Sequence, residues 1–265
     1  MDHPFKNILL ATERTEFDSG AERVALEMAR RCNLPLSVVV PVLSNPEFEM
    51  AAHRLAERTE QDIAARVDDL RMNARKMGVS IDIHARRGDA PADEIVREAL
   101  NCKSDLIVIR RRGRRGFLAK LLIGEMVGRV IGSAPCSVLM VPRACSMWSR
   151  GILAAVDGSG AAARVAGVAA SIAVECGLPL YVLSVAPSEA SRKEAQHNVS
   201  INADLARGLG AGVHEMVRIG RPCDEILASP ADIDLIVVGM GDGRPGGTAQ
   251  KVVGQAEKPV LAVHG

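Results

Sequence analysis

Residues 32–44, CNLPLSVVVPVLS, return as CGLPLYVLSVAPS at 176–188. The same spacing of 144 residues carries KNILLATERTE (6–16) onto RGILAAVDGSG (150–160). Three further pairs follow in the same order: RRGDAPADEIV with RIGRPCDEIL, SDLIVIR with IDLIVVG, and APCSVLMVPR with AEKPVLAVHG. Five matched apolar runs in one order mark a tandem duplication, the second copy being shorter in its middle and late loops. Whatever fold one copy takes, the other is expected to take as well.

Within each copy the apolar runs alternate with helical patterns. Residues 20–32 place Val24, Met28 and Cys32 one turn apart, with Ala21, Ala25 and Ala29 beside them, which predicts an amphipathic helix. Residues 47–77 predict a long helix through Leu55, Ile63, Val67 and Leu70, ended by Gly78. Asp89 is the expected N-cap of a third helix with Pro91 in its first turn, and LAKLLIGEMVGRVIGS (118–133) predicts a fourth. Short, nearly continuous Val/Ile/Leu strands between helices imply parallel βαβ units covered on both faces. The fold class is therefore α/β: two tandem doubly wound domains, 1–143 and 150–265, each a five-stranded parallel sheet, linked by RACSMWS (143–149).

Composition narrows the function. Hydrophobic residues make up 48% of the 265 and support a core, while a net charge of +1 gives no overall attraction to nucleic acid or membrane. Only 2% of residues are aromatic, so stacking platforms for single-stranded nucleic acid are not expected. The amino terminus, MDHPFKNILLATERTEF, has no long apolar stretch and no cleavage-site pattern, and no run reaches membrane-spanning length, so a cytoplasmic protein is expected. The six cysteines show no C-x-x-C spacing and read as small buried hydrophobes. The six histidines show no ligand spacing, and no residue is given a metal-binding or catalytic role. Ser159, in DGS, lacks a nucleophile elbow and a histidine partner, and a helix N-cap is its expected place.

In an open α/β sheet, ligands bind beyond the carboxyl ends of strands where the strand order reverses. Here that rule points to the ends of the first and fourth strands: Glu13 or Asp157, and the glycine-rich loops that follow. The first such loop, IRRRGRRGFLAKLLIGE (109–125), carries five arginines and three glycines. A solvated loop, a phosphate contact through Arg111, Arg112, Arg114 and Arg115, and a nucleic-acid patch are its three readings. Near-neutral net charge and scarce aromatics count against the last. GMGDG (239–243) lies after the fourth strand, not the first where a dinucleotide fingerprint belongs, so NAD is not expected.

VDGSG (156–160), DLIVVG (234–239), GRRGFLAKLLIGE (113–125) and APCSVLMVP (134–142) together resemble the pieces of the universal stress protein family, in the same order in both copies and across nearly the whole chain. In that family an Asp at the end of the first strand meets adenine, and a G-x2-G-x9-G-(S/T) loop after the fourth wraps ribose and phosphates. The resemblance implies an adenine-nucleotide site (ATP, ADP or AMP) in the second copy at Asp157, Gly158, Ser159, Val185, Gly239, Gly243, Gly246, Gly247 and Thr248. It implies a weaker one in the first copy at Glu13, Gly113, Gly116 and Gly124, where Glu replaces Asp, Arg110 replaces a Gly, and Glu125 replaces the Ser/Thr.

Two functions follow from the resemblance. One is a nucleotide-binding stress-response sensor or regulator without strong catalysis, any ATP hydrolysis being slow because no Walker lysine or obvious base is present. The other is a nucleotide-free interaction module. The fifth strands, CSVLMVP (136–142) and PVLAVHG (259–265), would be exposed apolar edges unless they face one another. An intrachain pseudo-dimer is the expected arrangement, with further homodimerisation left open.

Overall fold

A computed structural model describes residues 3–13, 15–43, 53–111, 125–240 and 247–264. The first copy runs β1 (Ile8–Ala11), α1 (Ser19–Cys32), β2 (Leu36–Leu43), α2 (His53–Lys76), β3 (Ile81–Gly88), α3 (Pro91–Asn101), β4 (Leu106–Arg110), α4 (Glu125–Ser133) and β5 (Ser137–Val141). The second runs β6 (Ile152–Ala155), α5 (Ala162–Cys176), β7 (Leu180–Ala186), α6 (Arg192–Gly208), β8 (Val213–Ile219), α7 (Pro222–Leu227), β9 (Leu235–Gly239), α8 (Thr248–Gln255) and β10 (Val260–Val263).

The ten strands among the described residues form one sheet, ordered β3-β2-β1-β4-β5-β10-β9-β6-β7-β8. Within each half every pairing is parallel, and the order reverses beside its first strand, between β1 and β4 and between β6 and β9. The mixed character enters at a single seam. There β5 and β10 run antiparallel, with Val260 opposite Met140, Leu261 opposite Leu139 and Ala262 opposite Val138.

The helices form as the apolar periodicity demands. In α1 Ala21, Val24, Ala25, Met28 and Ala29 are buried, while Cys32 at its end is half-buried. Helix α2 starts at His53 among the described residues and gives way at Gly78, whose φ of +71° ends the helix in the left-handed region. Two capping expectations are corrected. The N-cap of α3 is Ala90, with Pro91 at its first position, because the chain leaves β3 extended one residue beyond Asp89. The N-cap of α5 is Ala161, so Ser159 is not a cap.

Two apolar layers fill the space between sheet and helices, one on each face. Each crosses the seam: one contains Leu139 and Val141 beside Leu261 and Val263, the other Val138 and Met140 beside Val260 and Ala262. Trp148 of the connecting segment is buried in the first layer. No helix among the described residues is long and apolar enough to cross a membrane.

Leu139 and Leu261 meet across the seam with their side chains fully buried. Leu139→Ala and Leu261→Ala should each destabilise the protein by about 2–5 kcal/mol. In urea unfolding the double variant should depart from the sum of the two by about 0.5 kcal/mol or more, because the residues share one contact. Strict additivity would show that the seam does not couple the halves.

Candidate functional site

In the second half the reversal point lies between β6 and β9, where Ala155 sits opposite Val238. Strand β6 is followed by Val156, whose N–H donates to the Leu183 carbonyl at 2.8 Å, and the chain then turns outward at Asp157. Asp157 Oδ1 accepts from the Ser159 N–H at 3.0 Å and from Ser159 Oγ at 2.5 Å. This local turn fixes the carboxylate above the strand end and gives Ser159 its role.

A cleft of about 280 Å³ opens there. Its apolar walls include Val156 and Val165, Leu183 and Val185 of β7, Ile226 of α7 and Val238. Asp157, Ser159 and Thr248 supply its polar side chains, and Asp157 is the one ionisable residue among the described lining. Two helices begin at the rim: α5 after its Ala161 N-cap, and α8 with Gly247 as N-cap and Thr248 next. The positive ends of both helix dipoles favour an anion there.

Gly239 ends β9 within the cleft. A Cβ at that position would lie 3.2 Å from Val165 Cγ2 and 3.3 Å from Ala161 Cβ, so the close approach of α5 leaves room for little else. Gly158 is different: it does not line the cleft, and a Cβ there would meet nothing closer than 3.7 Å. Of the residues singled out in the second copy, Asp157, Ser159, Val185, Gly239, Gly247 and Thr248 come together around one space. Gly243 and Gly246 lie outside the described residues.

The matching place in the first half carries an arginine engaged with its own half. Arg110 ends β4 where Gly239 ends β9, and its side chain is only 13% exposed. One Nη donates to Glu13 Oε2 at 2.6 Å; the other donates to Thr15 Oγ1 at 2.9 Å and lies 3.5 Å from the buried Asp18 carboxylate. Asp18 also accepts from the Thr15 N–H and hydroxyl, at 2.8 and 2.6 Å. Glu13 is thus committed to a cation of its own chain. The signal for this pair was present in the sequence, since two departures from the repeat fall on positions that the β1–β4 pairing sets side by side.

Arg111 corrects the reading of the arginine run. Its guanidinium donates to the carbonyls of Val253 at 3.1 Å and Gly254 at 3.0 Å, at the carboxyl end of α8, and it is only 9% exposed. A cation at the negative end of a helix dipole is favourable, so this arginine ties the first half to the second and does not face an external anion. Arg112, Arg114 and Arg115, with Gly113, Gly116 and Gly124, lie outside the described residues, as does the side chain of Glu125.

Thiol chemistry finds no support. Burial pushes the thiols of Cys32 and Cys136 up to about 12 and raises those of Cys102, Cys145, Cys176 and Cys223. All six stay protonated near neutral pH, where a cysteine nucleophile needs the thiolate.

The sequence profile of the universal stress protein family matches residues 4–142 and again 149–264. A universal stress protein of Thermus aquaticus, encoded 3′ of a QAH/OAS sulfhydrylase, is 33% identical over 143 residues, which make up 52% of this chain and 98% of that protein. The crystal structure of a universal stress protein from Archaeoglobus fulgidus superposes with a TM-score of 0.80 at 19% identity, covering 97% of this chain and 98% of the other. Another from Archaeoglobus fulgidus, solved in complex with dAMP, is 31% identical over 44% of this chain and 99% of its own, with a TM-score of 0.40. With the fold repeated in both halves and the profile matched twice, the chain belongs to the universal stress protein family.

Proposed function

We propose that the chain is a cytoplasmic stress-response sensor or regulator that binds one adenine nucleotide, ATP, ADP or AMP, in its second half and has no strong catalytic activity. The observation that carries this reading is the cleft at the β6/β9 reversal, apolar on its walls and bearing one carboxylate beside two helix N-termini. Its walls suit a purine, Asp157 can accept from the exocyclic amine, and the Thr248 hydroxyl with the α8 N–H groups suits ribose and phosphate. Gly158, Gly243 and Gly246 belong to the backbone of the same site in this reading.

The pairing of Arg110 with Glu13 at the equivalent strand ends supports the other reading, a nucleotide-free module, for the first half. Residues 1–143 and 150–265 are two domains of one intrachain pseudo-dimer, joined through β5 and β10. Further association between chains is not required by this arrangement.

Calorimetry with ATP and ADP tests the proposal. One nucleotide should bind per chain, and Asp157→Ala should weaken it by about 1.5 kcal/mol, roughly tenfold, the usual size of a charge-assisted hydrogen bond. Unchanged affinity in that variant would remove Asp157 from the site, and absent binding to the native protein would leave the nucleotide-free reading.

The first half offers a second test. Arg110→Gly combined with Glu13→Asp recreates there the residue pair of the second half. Two nucleotides per chain are expected from this variant. A stoichiometry still at one, in a folded protein, would mean that the Arg110–Glu13 pair is not by itself what keeps nucleotide out of the first half.

A further inference from the structure

Strand β3 is the outer edge of the first half, paired on one side only, by β2. Helix α3 packs over it and carries Glu98 in its last turn, with Cys102 as its C-cap four residues on. That spacing puts both side chains on one helix face, over His84 in the middle of β3. Glu98 Oε1 lies 2.5 Å from His84 Nδ1 and 3.3 Å from Cys102 Sγ, and the three atoms all fall within 4.8 Å of one another. The Glu98 side chain is 1% exposed, whereas His84 is 36% exposed and gives the group a face to solvent.

From this grouping the geometry points to a binding site for one late divalent transition-metal ion, of the zinc or cobalt class, held by His84 Nδ1, Glu98 Oε1 and Cys102 Sγ. One nitrogen, one oxygen and one sulfur is a donor set for such ions, while magnesium and calcium take oxygen alone. Three protein ligands leave a fourth tetrahedral position on the solvent side. Binding would release the Cys102 proton to water. The two anionic ligands would then balance the charge of the ion, so the ion and its ligands together carry no net charge in a half-buried place.

The groups behind the ligands are placed for this role. His84 Nδ1 donates to the Glu98 carboxylate in the absence of an ion, while Asp82 Oδ2, 3.2 Å from Nε2, would hold the other tautomer, with Nδ1 as a lone pair, once an ion binds. Arg86 Nε donates to Glu98 Oε2 at 2.6 Å and leaves Oε1 for the ion. Tetrahedral coordination at ordinary zinc distances sets N and O about 3.3 Å apart. His84 therefore has to swing outward by somewhat under about 1 Å, which a half-exposed edge-strand side chain can do.

The second half shows that the arginine needs none of these partners. Arg218 stands in the register of Arg86, and Met216 in that of His84. Helix α7 stops at Leu227, short of any counterpart to Cys102, and Arg218 instead donates to the carbonyls of Glu225 and Ala228. The His–Glu–Cys grouping is thus peculiar to the first half. A second grouping of ligand types, His3, Cys32 and Glu175, has its histidine Nδ1 engaged by the Phe5 N–H and supplies the rival location for the test.

Untagged full-length protein, stripped with a chelator, should bind one cobalt(II) per chain with a thiolate-to-cobalt charge-transfer absorption, and zinc should displace it. Cys102→Ser should abolish the band while Cys32→Ser keeps it, and His84→Gln should weaken binding, each variant retaining its circular dichroism. Asp82→Asn should keep the band and weaken affinity by about 10- to 100-fold. Zinc should raise the melting temperature of the native protein but not of Cys102→Ser. No band at excess cobalt would overturn the inference. So would a band that survives Cys102→Ser and disappears in Cys32→Ser, which would move the ion to His3, Cys32 and Glu175.

Discussion

The antiparallel contact of β5 with β10 is what makes ten strands one sheet. Both strands are buried along their whole length and carry apolar side chains to both faces. Left as edges, they would present unpaired backbone groups flanked by Val, Leu and Met, an arrangement prone to uncontrolled pairing. Joined, they let both apolar layers run without a break from one half to the other. The edges that remain, β3 and β8, are of another kind. Asp82, His84, Arg86 and Arg87 on the first, with His214, Glu215 and Arg218 on the second, discourage further strand addition.

The same contact explains why the two strand-end sites differ in more than sequence. Because the halves meet at β5 and β10, the end of β4 comes close to the carboxyl end of α8, and Arg111 spans the gap. Its neighbour Arg110, pointing to the other side of the strand, turns into its own half and meets Glu13, Thr15 and Asp18. Two adjacent arginines thus do unrelated work, one on each face of the sheet. In the second half the corresponding positions are Gly239 and Met240, and the cleft stays open.

Much of this was legible in the sequence, because a repeat of apolar runs at constant spacing dictates both strand identity and the order reversal beside the first strand. The location of the open cleft followed from that topology. What escaped was pairwise. Glu13 and Arg110 each departed from the repeat and each read as a defect, since only the β1–β4 neighbourhood shows that one compensates the other. Arg111 read as a free cation because its partner lies 142 residues away, across the seam. Asp89 and Ser159 were expected to cap helices on residue type alone. The backbone instead carried the caps to Ala90 and Ala161, and spent Ser159 on a turn around Asp157.

Covalent fusion of the two copies has a consequence for how such a molecule can change. In a symmetric dimer of one short chain, every substitution lands twice, once on each side of the dyad. An arginine at the end of the fourth strand would then engage the first-strand carboxylate on both sides at once, and a His–Glu–Cys grouping would arise in duplicate. With both copies written into one polypeptide, Arg110 ties up the carboxylate at one strand end and Gly239 leaves the other clear. The duplication removes the tie between the two sides, so one half is free to specialise in scaffolding while its twin keeps an accessible pocket.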